Sequence, residues 1–270
     1  MKFTLVTISY DQALFLEECI RSVVEQDYPH FEYVVVDGGS TDGSLDIIDR
    51  YRPRLSKVLM GPDRGPADAL NKGFAGTTGD VLGYVNSDDC LLPGALRKVA
   101  TFLHENPMVD FASGHCVITD ASGQVLRRTY SDRVSRHRWI YSGSILLQPA
   151  TFFRRETYER SGGFNVENRI SWDIELFHRF IESGARHAIL DEFLAAFRVH
   201  PASITGGGST ANRRRAVRDR LLTESLGREL RTGDEAWRFF YRYWRKLVNY
   251  RDTWQRITGG PFGGRFAKTK

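Results

Sequence analysis

Apolar positions along the chain come in short blocks that alternate between two periods. Phe3–Ser9 is a β-type apolar run, and Leu14–Glu25 follows with Leu14, Leu16, Ile20, Val23 and Val24 at helical spacing. Tyr33–Val36 is continuously apolar, as in a strand covered on both faces. Ser44–Tyr51 reads as a helix, Lys57–Met60 as a third strand, Ala67–Ala75 as a third helix and Val81–Val85 as a fourth strand. Pro93–Glu105 predicts a helix opening on proline, whose missing N–H costs nothing there. This alternation predicts an α/β fold with a mostly parallel central sheet flanked by helices. Ligands bind such sheets at the carboxyl ends of the strands. The polar loops after Val36 and after Val85 both fall there, so they should converge on one crevice.

The second half is less regular. Phe111–Thr119, Gly143–Leu147 and Thr151–Arg154 predict strands, with a turn at Asp120–Gly123. Trp172–Glu182 predicts a helix that opens with acids, and His187–Phe197 contains another strand. Pro201–Thr210 is Gly-rich and reads as a mobile loop or hinge. Asn212–Leu230 and Asp234–Ile257 are helical in pattern, and Gly259–Lys270 should fray.

Composition is that of an ordinary globular protein, 41% hydrophobic and 26% charged over 270 residues. The N-terminal apolar run is too short for a signal peptide, and no stretch approaches the ~18 apolar residues of a spanning helix. A cytoplasmic location is therefore expected. Cys19, Cys90 and Cys116 lack zinc-site spacing and should be buried free thiols. The net charge of +5 conceals an asymmetry. Residues 1–200 hold 22 basic against 27 acidic side chains, and residues 201–270 hold 16 against 6. The last quarter presents a different surface.

The chemistry concentrates in a few stretches. Ser87-Asp88-Asp89 places adjacent carboxylates at a strand end, where they repel unless a cation joins them. Mn²⁺ or Mg²⁺ suits such oxygen ligands together with substrate phosphates, although Asp can equally cap the next helix. The loop Asp37–Gly43 is neither a Walker loop nor a dinucleotide fingerprint, but Gly39 and its neighbours allow close backbone approach. In Gly61–Gly73, a turn running into a helix, Asp63 and Asp68 are available to a base or ribose. Asp173 sits near a helix N-terminus that favours an anion. His200 is a usable metal ligand or a structural imidazole.

The ordered set resembles family 2 glycosyltransferases with the GT-A, Rossmann-like fold, in the subgroup acting on bacterial cell-surface polysaccharides. The resemblance rests on Val6–Asp11, Val34–Gly43, Gly61–Gly73, Leu82–Asp89, and Gly162–Glu175 with Arg198–Ser203. It implies that Ile8, Ser9, Tyr10 and Asp37 hold the nucleotide, with Gly39, Asp63, Asp68 and Lys72 contributing. Asp88 would approach the ribose or a metal-bound water, Asp89 would ligate the metal, and His200 would complete that site or close over the diphosphate. Asp173 aligns with the general base. Glu175, Trp172, Gln148 and the Gly162-Gly163 turn fall on the acceptor side. Two positions depart from the family: Gly38 stands where a second Asp is usual, and Leu70 where many members carry Arg. Asp63 or Asp68 would replace the first, and Lys72 or Arg64 the second.

The resemblance also implies a division of labour and a reaction. Residues 1–205 would be the catalytic domain, with donor binding in 1–110 and the acceptor side in 111–205, and 206–270 a basic aromatic helical extension. The expected activity is inverting transfer from a UDP-, GDP- or dTDP-sugar to a glycan or lipid-linked acceptor, using Mn²⁺ or Mg²⁺. The extension carries Trp237, Phe240, Tyr241 and Trp244 between arginines. It would pack on the domain, meet a second subunit in a homodimer, or lie peripherally on the inner face of the plasma membrane. Nucleic-acid binding is not expected, for want of a recognised module. A nucleotidyltransferase is a rival, although its Gly-rich signature near the first strand is missing. So is a non-catalytic nucleotide-sugar or glycan-binding homologue, which would need neither Asp89 nor Asp173.

Overall fold

The computed structural model describes residues 1–201, 203 and 211–259. Most of the expected loop at 201–210 and the end beyond Gly259 lie outside the described residues. The first half alternates as the pattern requires. Strand β1 (Phe3–Ser9) leads to α1 (Ala13–Val24), β2 (Phe31–Asp37) to α2 (Ser44–Tyr51), and β3 (Lys57–Met60) to α3 (Pro66–Phe74). β4 (Val81–Asn86) follows, then a short β5 (Cys90–Leu91) and α4 (Ala95–Glu105).

The second half holds β6 (Phe111–Thr119), β7 (Val125–Thr129), α5 (Arg136–Ile140), β8 (Thr151–Arg154) and α6 (Arg155–Arg160). Then come α7 (Trp172–Glu182), β9 (His187–Arg198), α8 (Ala211–Leu226), α9 (Thr232–Val248) and α10 (Tyr250–Gly259). One sheet of nine strands runs β3-β2-β1-β4-β8-β6-β9-β5, with β7 on β6.

The expected parallel pairing holds for β3-β2-β1-β4. Beyond β4 the sheet turns mixed: β8 is antiparallel to both neighbours, and β6 and β9 are parallel. Register aligns Ser9 with Asp37 and Ile8 with Asn86, which brings three strand ends to one edge. Both faces of the sheet are covered. Phe3 and Leu5 pack with Leu16 and Ile20 on one side, and Val6, Val34 and Val36 with Leu70 and Phe74 on the other.

Three expectations need correction. Gly143–Leu147 is not a strand, because Asp132 and Ser131 side chains take the N–H groups of Ile145 and Leu147. The Pro93 helix begins only at Ala95, after a left-handed Gly94. The Asp234–Ile257 helix is two helices, broken at Asn249, whose side-chain oxygen accepts the Asp252 N–H. The cysteines are buried and free.

The C-terminal helices dock on the domain. Leu221 and Leu222 are buried, and Asp252 accepts the Thr129 hydroxyl at 2.7 Å. Among the described residues no helix is long and apolar enough to cross a membrane.

α3 lies close against the sheet because Gly73 has no side chain. A Cβ there would stand 2.5 Å from Val6 Cγ1 and 3.1 Å from Val36 Cγ2. Gly73→Ala should therefore cost about 1–3 kcal/mol through overpacking, outweighing the up to ~1 kcal/mol that alanine gains in a helix. At about 2–4 °C per kcal/mol for a chain this size, calorimetry should show a clear fall in Tm. An unchanged or higher Tm would contradict the close packing.

Candidate active site

At that strand edge lies a cleft of about 670 Å³. Its floor comes from the β1 end, with Ile8, Ser9 and Tyr10, and from Tyr84 and Asn86 of β4. The Asp37 loop supports it without lining it beyond Gly38. The Asp37 carboxylate is fully buried and accepts the N–H groups of Gly39 and Ser40 and the Ser40 hydroxyl. The loop also latches onto the start of α1: Ser40 Oγ accepts the Asp11 N–H and Asp42 the Ala13 N–H, both at 2.8 Å. Asp37 and Gly39 thus shape the crevice from behind.

The missing second Asp is accounted for by geometry. A Cβ on Gly38 would stand 2.9 Å from Asp63 Oδ2 and 3.2 Å from the Tyr10 ring. Asp63 therefore puts a carboxylate oxygen where a side chain at position 38 would project. Its other oxygen accepts the Gly65 N–H at 2.7 Å. Tyr10 is 63% exposed beside it, a flat ring available for stacking. Asp68 is not in the lining; it accepts the Arg64 N–H and pairs with Lys72 at 2.9 Å. Lys72, spent on Asp68, also stays outside the cleft. The cations that do line it are Arg64, Arg198 and Arg169, the last missed in the sequence. Arg169 is exposed and makes no hydrogen bond or ion pair among the described residues.

Asp88, Asp89 and His200 meet in the wall of the cleft. Asp88 Oδ2 is 3.2 Å from His200 Nε2. Asp89 is buried, and its Oδ1 accepts the Arg198 N–H at 2.9 Å. It caps no helix, because β5 intervenes before α4. Burial, then the charge of Asp88, pushes the Asp89 carboxyl well above the ordinary range. Arg198 ties the pair to the scaffold: its guanidinium donates to the Asp88 carbonyl and pairs with Glu18. The sequence marked Arg198 only as the start of a matching stretch, with no role for its side chain.

These residues suit a hard divalent cation in donor chemistry. They offer carboxylate oxygens and an imidazole, and Asn86 Oδ1 and Ser9 Oγ nearby are buried without a hydrogen-bond partner among the described residues. Among the described residues, no three His, Cys, Asp or Glu side chains enclose an ion by themselves. A cation here would need ligands from the substrate, as Mg²⁺ and Mn²⁺ sites commonly do.

The far wall carries Trp172 and Asp173 from the start of α7. Surrounding protein raises the Asp173 carboxyl, against the backbone N–H groups of Asp173 and Ile174 and the charges of Arg218 and Arg214. Glu175, two residues on, behaves oppositely. Burial alone would raise it, but Asn165, Asn168 and Arg220 bind its oxygens and hold it low. The two acids thus sit in opposite electrostatic environments. Glu175 fastens the 165–171 loop to α8 and does not line the cleft.

Gly162 and Gly163 are also outside the lining. Their turn is clamped to α3 by Asn71, which accepts the Phe164 N–H and donates to the Phe164 carbonyl. Gln148 does line the cleft, where it receives a hydrogen bond from Asn86 and donates to the Tyr84 carbonyl.

The chain is similar to known proteins in sequence and in fold. The chain is 29% identical over 180 residues to a PGL/p-HBAD biosynthesis glycosyltransferase of Mycobacterium bovis, covering 64% of this chain and 68% of that one. Its fold matches S. aureus TarS 1–349 in complex with UDP-GlcNAc, with a TM-score of 0.68 at 20% identity, over 100% of this chain and 76% of that one. It also matches a mannosyltransferase from Pyrobaculum calidifontis in complex with GDP-Man and Mn²⁺, with a TM-score of 0.63 at 22% identity, over 98% and 78% of the two chains. Both likenesses place the fold with GT-A enzymes. The model of glycosyl transferase family 2 matches residues 4–162, more than half of the chain, so the protein belongs to glycosyl transferase family 2 and is a glycosyltransferase.

Proposed function

We propose that this enzyme moves a sugar from a UDP-, GDP- or dTDP-linked donor to a hydroxyl of a glycan or lipid-linked acceptor, with inversion at the anomeric carbon. The observation that carries the reading is a single cleft joining Asp63 beside Gly38, the Asp88–Asp89 pair and Asp173. The base stacks on Tyr10 and donates to Asp63, and Asp88 faces the ribose. Arg64 and Arg169 face the diphosphate, in the role that Leu70 cannot fill. A bound Mn²⁺ or Mg²⁺, held by Asp89 and His200, would offset the charge gained by the departing diphosphate. The Mn²⁺ in the mannosyltransferase complex supports that choice of ion.

Asp173 takes the proton from the attacking hydroxyl, which is a poor nucleophile until then. Holding donor and acceptor in line in one cleft removes much of the entropic barrier. One base suffices for a single displacement, and the arrangement needs no protein nucleophile.

Residues 1–110 supply the donor side and 111–205 the acceptor side, and the extension from 206 completes the latter. On α9, Trp237 and Tyr241 stack toward Tyr141, while Phe239 and Leu247 are 62% and 74% exposed. With Lys246 alongside, over the exposed Tyr243 ring, that outer face suits peripheral contact with an anionic membrane.

Calorimetric titration with UDP, GDP and dTDP, with and without Mn²⁺, tests the donor site. One nucleotide should bind preferentially, and more tightly with metal. Asp63→Ala should weaken it about tenfold or more, the range for a hydrogen bond to a charged group. Asp68→Ala should weaken it less. Wild-type affinity in Asp63→Ala would sink the assignment of the base slot.

A further inference from the structure

Asp173 belongs to two cavities. Besides the cleft, it lines a smaller one of about 220 Å³ between α5, α7, α8 and α9. The floor of this second cavity is apolar, with Phe177 and Leu222. Its remaining wall carries three guanidiniums: Arg218 from α8, and Arg242 and Arg245 from α9.

Arg245 is committed, pairing with Asp132 at 3.5 Å and Asp252 at 3.3 Å. Arg218 and Arg242 make no hydrogen bond or ion pair among the described residues. Arg214 stands one turn before Arg218 on the same helix. The crowding is felt electrostatically. Surrounding protein lowers the Arg218 guanidinium, Asp173 raises it, and Arg214, Arg238 and Arg242 lower it further. Asp173 is the one carboxylate in the lining, so the cavity keeps an excess of positive charge directly beside the proposed base.

We infer that this cavity receives the part of the acceptor next to its reacting hydroxyl, and that this part carries a phosphate group. The inference rests on Asp173 being the general base. Two uncommitted guanidiniums match a phosphate in charge better than a single carboxylate, and their forks suit its oxygens. An acceptor anchored there would extend past Asp173 and present its hydroxyl to the donor in the cleft, within reach of that base. The phosphate could sit in a soluble glycan or in a lipid-linked acceptor.

The test uses the full chain with its donor site saturated by UDP and Mn²⁺. It is titrated with sn-glycerol 3-phosphate and, as the neutral counterpart, glycerol. The phosphate ester should bind and glycerol should not. Arg218→Ala with Arg242→Ala should weaken the ester about tenfold or more and leave UDP affinity within twofold. The matching double lysine variant, which keeps the charge but loses the fork, should fall between and controls for folding.

Equal affinity of wild type and both variants for the ester would overturn the inference while leaving the donor reading intact. Failure of UDP to bind the wild type would instead strike the donor reading, and the ester titration would still be read on its own. Sedimentation with phosphatidylglycerol and phosphatidylcholine vesicles separates the two sources. Loss of phosphatidylglycerol binding in the alanine variant would mark the phosphate as lipid-borne. Unchanged vesicle binding with a weakened ester would mark it as part of a soluble glycan.

Discussion

Asp173→Asn leaves the protein folded and able to bind donor nucleotide, but cuts sugar transfer by about 10²–10⁴-fold, the usual contribution of a general base. The amide keeps the shape of the side chain and its place at the start of α7, and removes only the capacity to accept a proton. Folding should survive for a reason of sign. The carboxyl of Asp173 is raised in the folded protein, so its ionised form weakens folding as pH rises through that value. Asparagine carries no such charge. The same shift sets the pH profile. The base works ionised, so kcat should fall on acidification at a pH above the ordinary Asp value of about 3.9. A rate profile flat through that range, or full transfer by Asp173→Asn, would remove Asp173 from its role. Glu175→Gln is the contrasting variant. It breaks the ties to Asn168 and Arg220 and should lower Tm with a much smaller effect on kcat.

Asp89→Ala should abolish the gain in nucleotide affinity that Mn²⁺ brings, a loss of about 100-fold or more. Outer-shell partners of a metal ligand are already worth 10–100-fold. Affinity measured without metal should hardly change, because the Asp89 carboxylate is buried and bonded to the Arg198 backbone. Asp89→Asn preserves that hydrogen bond and isolates the loss of charge from any loss of fold. If nucleotide binds wild type equally well with and without Mn²⁺, the carboxylate pair serves the scaffold alone.

The first half of the fold was largely legible because its signals are local. Continuous apolar runs such as Tyr33–Val36 mark strands buried on both faces, and polar loops after them mark the strand ends. The departures were legible as gaps, and Asp63 was one of two acids available to fill the first. Proposing it over Asp68 required knowing that Asp68 is spent on Lys72, a matter of side-chain direction on α3. Arg169 and Arg198 were not singled out, because their place in the cleft depends on chain segments meeting across the fold. The second half failed at Gly143–Leu147, where side chains take the backbone donors that a strand would need, and apolar pattern carries no record of that. The second cavity beside Asp173 was likewise out of reach, since it forms only once α8 and α9 fold back over α7.

Arg198 gives the site a timetable. Its backbone N–H holds Asp89 from 109 residues away, and its guanidinium reaches Glu18 from 180 residues away. During synthesis the first strands can pair and bury their apolar faces early. The carboxylate pair waits for β9, which at ordinary elongation rates is a delay of the order of ten seconds. Until then Asp89 is held only locally, by its N–H on the Asn86 carbonyl and by the Asn86 amide. In a nascent chain the crevice at the β1, β2 and β4 ends thus precedes its carboxylate wall, which is complete only once Arg198 reaches Asp88, Asp89 and Glu18.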